Sequence, residues 1–281
     1  MKQLLFFCLI SFALSAKEKP AYVLFNQKGQ RVSYEKMIRK LVQSDVVLVG
    51  ELHDNPISHW LELTMTKDCG KQRSLVLGAE MFEHDNQQAL TNYVQGKITA
   101  KGLDSSARLW KNYKTDYAPL VNYAKENQLA FIATNVPRKY AGQVAKGGFE
   151  VLNGLTDTEK GWLAPQPIAY DAELPGYQKM LEMMGEHTSP NMPKAQALKD
   201  ATMAHFIFQN WSADKLFIHY NGSYHSEFHE GISWYLKRSK EDLKIITIAT
   251  VSQKDVSKLL PEHLQKADFI ICVDEDMTST Y

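Results

Sequence analysis

The chain has 281 residues, 44% of them hydrophobic, and its 32 basic residues balance 32 acidic ones. That length and apolar content support one large or two modest domains with a proper core. The neutral balance, with no basic stripe interleaved with aromatics, excludes bulk charge as a route to nucleic acid or to an acidic surface.

Residues 1–16 carry Lys2, an apolar run over 4–14 and the small exit Ser15-Ala16. This is a secretory signal pattern, too short to span a membrane, with cleavage after either Ser15 or Ala16. Cys8 lies inside the run behind Phe6-Phe7, whereas a lipid-modified cysteine would follow it after small residues. Export removes Cys8 and leaves Cys69 and Cys272, as one disulfide or two free buried thiols.

Residues 22–25 and 31–32 flank a turn over 27–30 and predict a hairpin. Ser33 is placed to cap a helix whose apolar face is Met37, Ile38, Leu41 and Val42. A core strand follows at 46–49, and Pro56 opens a helix expected to turn Trp60, Leu61, Leu63 and Thr64 inward. A strand at 74–78 precedes a helix from about Asn86; a helix over 117–126 precedes a strand at 129–133. Pro137 opens a helix ended by Gly147-Gly148, and Pro193 opens a long one. Strands at 216–219, 243–249 and 269–273 complete the set. Alternating strands and helices predict an α/β fold with a mostly parallel sheet flanked by helices and right-handed crossovers.

Residues 162–192 break the alternation. Four prolines fall within them, with Pro193 just beyond, together with four of the ten methionines. A connection this long predicts a small helical subdomain inserted over the carboxyl edge of the sheet. The division is therefore 1–16 signal peptide, 17–161 and 193–281 sheet domain, and 162–192 insertion.

Several strands end in groups able to do chemistry: Glu51, His53 and Asp54; Glu80; Thr134 and Asn135; Asn221, Gly222 and His225. Crevices outside the carboxyl ends of parallel strands are where such sheets bind ligands. Glu51, His53, Glu80 and His225 could hold a divalent metal with an open position for water, the chemistry of a metal-dependent hydrolase. Each acid alone could equally serve the next helix N-terminus. His225 and His229, four apart, would share a helix face, but His229 is expected to be solvated with Glu227 and Glu230. His219, inside a strand, reads as a core histidine. No nucleophile elbow or glycine-rich phosphate loop is present.

Tyr177, Met180, Leu181 and Met184 form an apolar stripe at helical spacing. Methionine surfaces adapt to large apolar ligands, and a tyrosine phenolate is a known axial ligand of haem iron. Tyr170 and Tyr177 are both candidate ligands of ferric haem, with His187, Lys179 and Lys194 available to its carboxylates. The stripe could also simply pack on the sheet domain.

The runs Gly50-Glu51-Leu52-His53-Asp54, Gly78-Ala79-Glu80-Met81-Phe82-Glu83, Pro193 through Ala204, Gly222-Ser223-Tyr224-His225 and Gly231-Ile232 occur in an order that resembles the ChaN-like haem-binding uptake family. That family belongs to the superfamily of Tiki-type metalloproteases and erythromycin esterases. The resemblance implies a Rossmann-like α/β domain with a small helical domain, exported to the periplasm or the periplasmic face of the outer membrane. It implies haem held by tyrosine at a homodimer interface, in haem or iron acquisition alongside an outer-membrane receptor or transporter. In the hydrolase branches the positions resembling Glu51, His53, Glu80 and His225 are metal-binding or catalytic.

Overall fold

The computed structural model describes residues 19–184 and 189–281. Residues 1–16, read as a signal peptide, and His187 lie outside them.

In chain order the elements are β1 (Tyr22–Asn26), α1 (Tyr34–Leu41), β2 (Val46–Glu51), α2 (Pro56–Gly70), β3 (Leu75–Glu83), α3 (Gln87–Val94) and α4 (Ala100–Ser106). They continue with α5 (Ala118–Glu126), β4 (Phe131–Asn135), α6 (Arg138–Gly147), α7 (Asp157–Lys160), α8 (Pro175–Met184) and α9 (Met192–Asn210). Then come β5 (Leu216–Gly222), α10 (Ile232–Ser239), β6 (Ile245–Gln253) and β7 (Phe269–Asp274). Among the described residues the sheet has seven strands in the order β1-β7-β6-β2-β5-β3-β4. Only β1 runs antiparallel, against β7; all other pairings are parallel.

The predicted starts hold where local chemistry dictates them. The Ser33 side chain accepts from the Lys36 amide, and that of Asn55 accepts from the amides of Ile57 and Ser58, with Pro56 in the first turn. These caps satisfy donors that a helix N-terminus leaves unpaired. Gly148 ends α6 at φ 75°, a backbone angle glycine adopts without strain. The 22–32 hairpin is a single bridge, Phe25 to Arg31, because β1 pairs mainly with β7.

Strand pleating divides the core in two. Val47, Val49, Leu75, Leu77, Ile218 and Tyr220 belong to one cluster, shared with α1, α2, α3 and α5. Val46, Leu48, Val76 and Phe217 belong to a second, shared with α6, α9 and α10. In α2 the buried face is Ser58, His59, Leu61, Glu62, Met65, Thr66 and Cys69, while Trp60 is 52% exposed. The expectation that Trp60 faces inward is thereby corrected. The helix turns about 100° per residue, and Trp60 falls off the stripe through Leu61, Met65 and Cys69. Cys69 and Cys272 are free and belong to different core clusters, which rules out the disulfide; burial pushes both thiols up to about 12.

The chain leaves β2 for β3 on one side and leaves the adjacent β5 for β6 on the other. That reversal between neighbours makes the carboxyl ends of β2 and β5 the switch point of the sheet. No helix among the described residues is long and apolar enough to cross a membrane.

Candidate functional site

Glu51, the last residue of β2, pairs in register with Gly222, the last of β5. A Cβ on Gly50 would lie 2.7 Å from the Ile248 carbonyl oxygen and 2.9 Å from the Ser223 Cα, so glycine is required just ahead of the acid. Continuing the pleat of Val47 and Val49, Glu51 points to the α2 face. Its Oε1 accepts from the Tyr117 hydroxyl at 2.7 Å and lies 2.6 Å from His53 Nδ1. His59 Nδ1 lies 3.3 Å from Glu51 Oε2 and 3.4 Å from Glu62 Oε2, while His59 Nε2 meets the His53 carbonyl at 3.1 Å.

Burial alone would raise Glu51, but hydrogen bonding to His53 and His59 and the His59 charge hold it well below the usual carboxylate range. Glu62 moves the other way, raised by burial and then by the Glu51 charge. Burial lowers His59, yet the two carboxylates outweigh it and lift the imidazole to about 11.

The second group lies on the opposite face. Glu80 follows Val76 in the pleat of β3, which runs on to Glu83; the acid therefore sits within the strand rather than after it. His225 Nε2 lies 3.1 Å from Glu80 Oε1, and its Nδ1 lies 2.5 Å from Asp200 Oδ1 and 2.8 Å from Gln196 Nε2, both on α9. The Gly222 amide donates to Glu80 Oε2 at 2.8 Å. Burial would lower His225, but Glu80 and Asp200 raise it to about 10. Glu80 is held far below its ordinary value: burial is overcome by His225 and, more weakly, His53. Asp200 is raised, by burial first, against the pull of His225. A Cβ on Gly222 would meet His53 Nε2 at 2.8 Å and Glu80 Oε2 at 3.6 Å. The absent side chain is where the two faces approach each other.

Above these groups opens a cleft of about 970 Å³. Glu51, His53 and His225 line it below, and α8 lines it above through Tyr177, Lys179 and Met183. α8 is pinned there: Glu230 accepts from the Gly176 amide at 2.7 Å and the Tyr224 hydroxyl donates to the Gly176 carbonyl at 2.6 Å. Met183 is 74% exposed and Phe228 44% exposed, so the rim presents apolar surface. Tyr177 is 4% exposed, and its buried hydroxyl has no hydrogen-bond partner. Burial pushes its phenol well above the ordinary value.

The other predicted residues fall elsewhere. Tyr170 stacks on Tyr177 at 5.5 Å and meets Phe149 edge-on at 5.9 Å, outside the cleft lining. Met180 is half-buried and also outside the lining. Lys194 faces the turn at Gly148, whose added Cβ would lie 3.5 Å from its Nζ, away from the cleft. Met184 ends α8, and its side chain lies outside the described residues. His225 and His229 share no helix: two short 3₁₀ turns are broken at Phe228 (φ 57°) and His229 (φ 59°). Glu227 and Glu230 are engaged rather than solvated, Glu227 by Lys266 at 3.0 Å. His219 is a satisfied core histidine, 2.7 Å from the Thr134 hydroxyl and 3.0 Å from the Asn221 side chain, and burial lowers it to about 4.

Sequence reasoning passed over His59, Glu62 and Tyr117. The signal was available in part: His59 and Glu62 stand three apart on the helix face that buries Leu61 and Met65, where a charged pair calls for a partner. Nothing local points Tyr117 at Glu51, 66 positions away.

An open parallel sheet with carboxylate–imidazole groups at its switch point and a helix-roofed cleft defines the class, an α/β ligand-cleft protein. The chain belongs to the family described as haem-binding uptake, Tiki superfamily, ChaN, whose profile matches residues 37–236. Among solved structures it is similar to ChaN of Campylobacter jejuni, described by its cofacial haem binding, with a TM-score of 0.65 and 18% identity over 89% of this chain and 96% of that one. It is also similar in fold to an erythromycin esterase mutant in its open conformation, with a TM-score of 0.52 and 11% identity over 92% of this chain and 98% of that one. A curated relative, the chloroplastic protein RETICULATA-RELATED 5 of Arabidopsis thaliana, is 26% identical over 161 residues. That match spans 54% of this chain and only 22% of the plant protein.

Proposed function

We propose that this chain is an exported haem-binding protein of haem or iron acquisition, with ferric haem seated in the cleft under α8 and Tyr177 as iron ligand. Membership of a haem-binding uptake family supports the ligand. One observation supports the residue: of the two candidate tyrosines, only Tyr177 lines the cleft, and its buried hydroxyl lacks a partner. Haem would supply a ferric centre that a phenolate oxygen can ligate. The chain supplies the apolar rim at Met183 and Phe228 and a cation at Lys179 for carboxylates. A second copy of the chain closing over that rim would bury both apolar faces, which is the basis for proposing a homodimer. Periplasmic location and delivery from an outer-membrane receptor or transporter belong to the same proposal.

The test is a titration of the chain lacking residues 1–16 with ferric haem, following the absorption spectrum and particle size together. The expected result is saturable binding, a tyrosinate-type spectrum and a dimer. Tyr177→Phe is expected to lose that spectrum and weaken binding at least tenfold, and Tyr170→Phe to keep both. Unchanged spectra in Tyr177→Phe would move the ligand elsewhere.

A metal-dependent hydrolase is the second reading, favoured by the Glu51–His53 and Glu80–His225 pairs, of which Glu51, His53 and His225 line the cleft floor. Such groups can position water and exchange protons with a substrate. Ester and peptide hydrolysis that stays at background after divalent metal is added would remove it.

A further inference from the structure

Behind the cleft floor, Glu51, His59 and Glu62 each bring one potential ligand atom within 4.8 Å of the other two. The side chains are 0%, 6% and 1% exposed. Three observations set this group apart from an ordinary buried ion pair. First, His59 Nδ1 stands 3.3 Å and 3.4 Å from the two carboxylates, whereas charge-assisted N–H···O contacts close to about 2.7–2.9 Å. A tetrahedral ion with bonds of about 2.0–2.1 Å sets its ligand atoms about 3.3–3.4 Å apart. Second, Glu51 Oε2 has only the long His59 contact at 3.3 Å, and Glu62 Oε1 is buried without a hydrogen-bond partner, although nearly all such atoms in folded proteins are well paired. Third, the surroundings orient the donors as an outer shell does. His59 Nε2 meets the His53 carbonyl at 3.1 Å, so that on exchanging its Nδ1 proton for an ion the ring would turn that lone pair toward both carboxylates, and the Tyr117 hydroxyl holds the other oxygen of Glu51.

We propose that Glu51, His59 and Glu62 form an inner site for a divalent first-row transition ion of the zinc type, distinct from the haem cleft and from the Glu80–His225 pair. Two carboxylates and a dication sum to zero charge at the ion, and Asp116, 3.4 Å from His59 Nε2, is an outer carboxylate that faces the ligand imidazole from behind. Imidazole and carboxylate donors suit zinc, cobalt or iron(II) better than calcium, which takes six to eight oxygens. A fourth position is left for water. Glu51 lines the cleft floor, which gives the ion an entry path.

The probes are Zn²⁺ and Co²⁺ added to the chelator-stripped chain lacking residues 1–16, without haem. One equivalent of Zn²⁺ should bind and raise the melting temperature, and Co²⁺ should give the intense visible bands of four-coordinate cobalt. Glu62→Gln should weaken Zn²⁺ binding by more than about 100-fold, while His225→Gln keeps it. X-ray absorption on the unaltered chain tests the site even where a variant does not fold, and should count one imidazole per ion. Two imidazoles, or binding lost in His225→Gln but kept in Glu62→Gln, would assign the metal to His53 and His225 and overturn the proposal. Absence of stoichiometric binding to the unaltered chain would also overturn it, leaving His59 as a proton holder between two acids.

Discussion

On the α2 face of the sheet, His59 stands 3.3 Å and 3.4 Å from Glu51 and Glu62; on the α9 face, His225 stands 2.5 Å and 3.1 Å from Asp200 and Glu80. Each group sets an imidazole between two buried carboxylates, one of them from a core strand, Glu51 of β2 or Glu80 of β3, and His59 has Asp116 3.4 Å from its other nitrogen as well. The His225 group closes on itself: the Gly222 amide adds a hydrogen bond to Glu80, and no oxygen of Glu80 or Asp200 is among the buried unpartnered atoms. The His59 group leaves two carboxylate oxygens unfilled. With the same ingredients, spacing decides whether a buried imidazole is satisfied by a proton or has room for a larger cation.

The comparison breaks most severely at His225. His225→Ala leaves Glu80 and Asp200 buried without their cation, and a loss of about 3–5 kcal/mol is expected in urea unfolding. A loss below about 1 kcal/mol would mean that the α9 face does not depend on this charge. Gly222→Ala comes next, at about 1–3 kcal/mol, because the new methyl drives into His53, and through it the Glu51 contact. Its sharper signature is a changed His53 titration by NMR, with the His225 resonance left in place.

The pH dependence of the metal-stripped chain separates the faces further. His225, raised to about 10 from an ordinary 6.5, contributes stability that is full below pH 6.5 and is lost as pH rises toward 10. His59, raised to about 11, behaves likewise. Glu62 is also raised, so its neutral form costs stability from about its ordinary 4.5 upward. Glu51, being depressed, contributes stability present above its ordinary 4.5 and lost in acid. Stability of the stripped chain should therefore start to decline well below pH 6.5, and Glu62→Gln should make that early decline shallower, with the raised Asp200 keeping the remainder. Identical pH profiles would contradict a protonated Glu62. Below pH 4.5, before that decline sets in, the smallest effect is expected from that same variant, within about 1 kcal/mol of the unaltered stripped chain, since glutamine there replaces a side chain that is neutral folded and unfolded alike.

Much of this architecture was legible in the chain. Apolar runs bounded by turn residues marked the strands, Ser33 and Pro56 marked helix starts, and Glu51, His53, Glu80 and His225 stood out because strands end at the edge where crevices form. Trp60 was misread because an amphipathic stripe tolerates several phases over one short window, and packing selects among them. His229 was read as solvated and is exposed; what the sequence did not show is that positive φ at Phe228 and His229 breaks the helix that would have aligned it with His225, since neither residue type announces that angle.

By itself the sequence determined the α/β order of elements, the parallel sheet, the family and the residue types at the strand ends, since these follow from local periodicity, capping and motif spacing. Tertiary structure alone decided how those residues divide. Pleating sent Glu51 to one face and Glu80 to the other. The helices packed there supplied His59 and Glu62 to the first, Asp200 and Gln196 to the second, and Tyr177 to the roof. Those partners meet across long sequence separations, and such contacts are set by the burial of two opposite core faces, which no local pattern encodes.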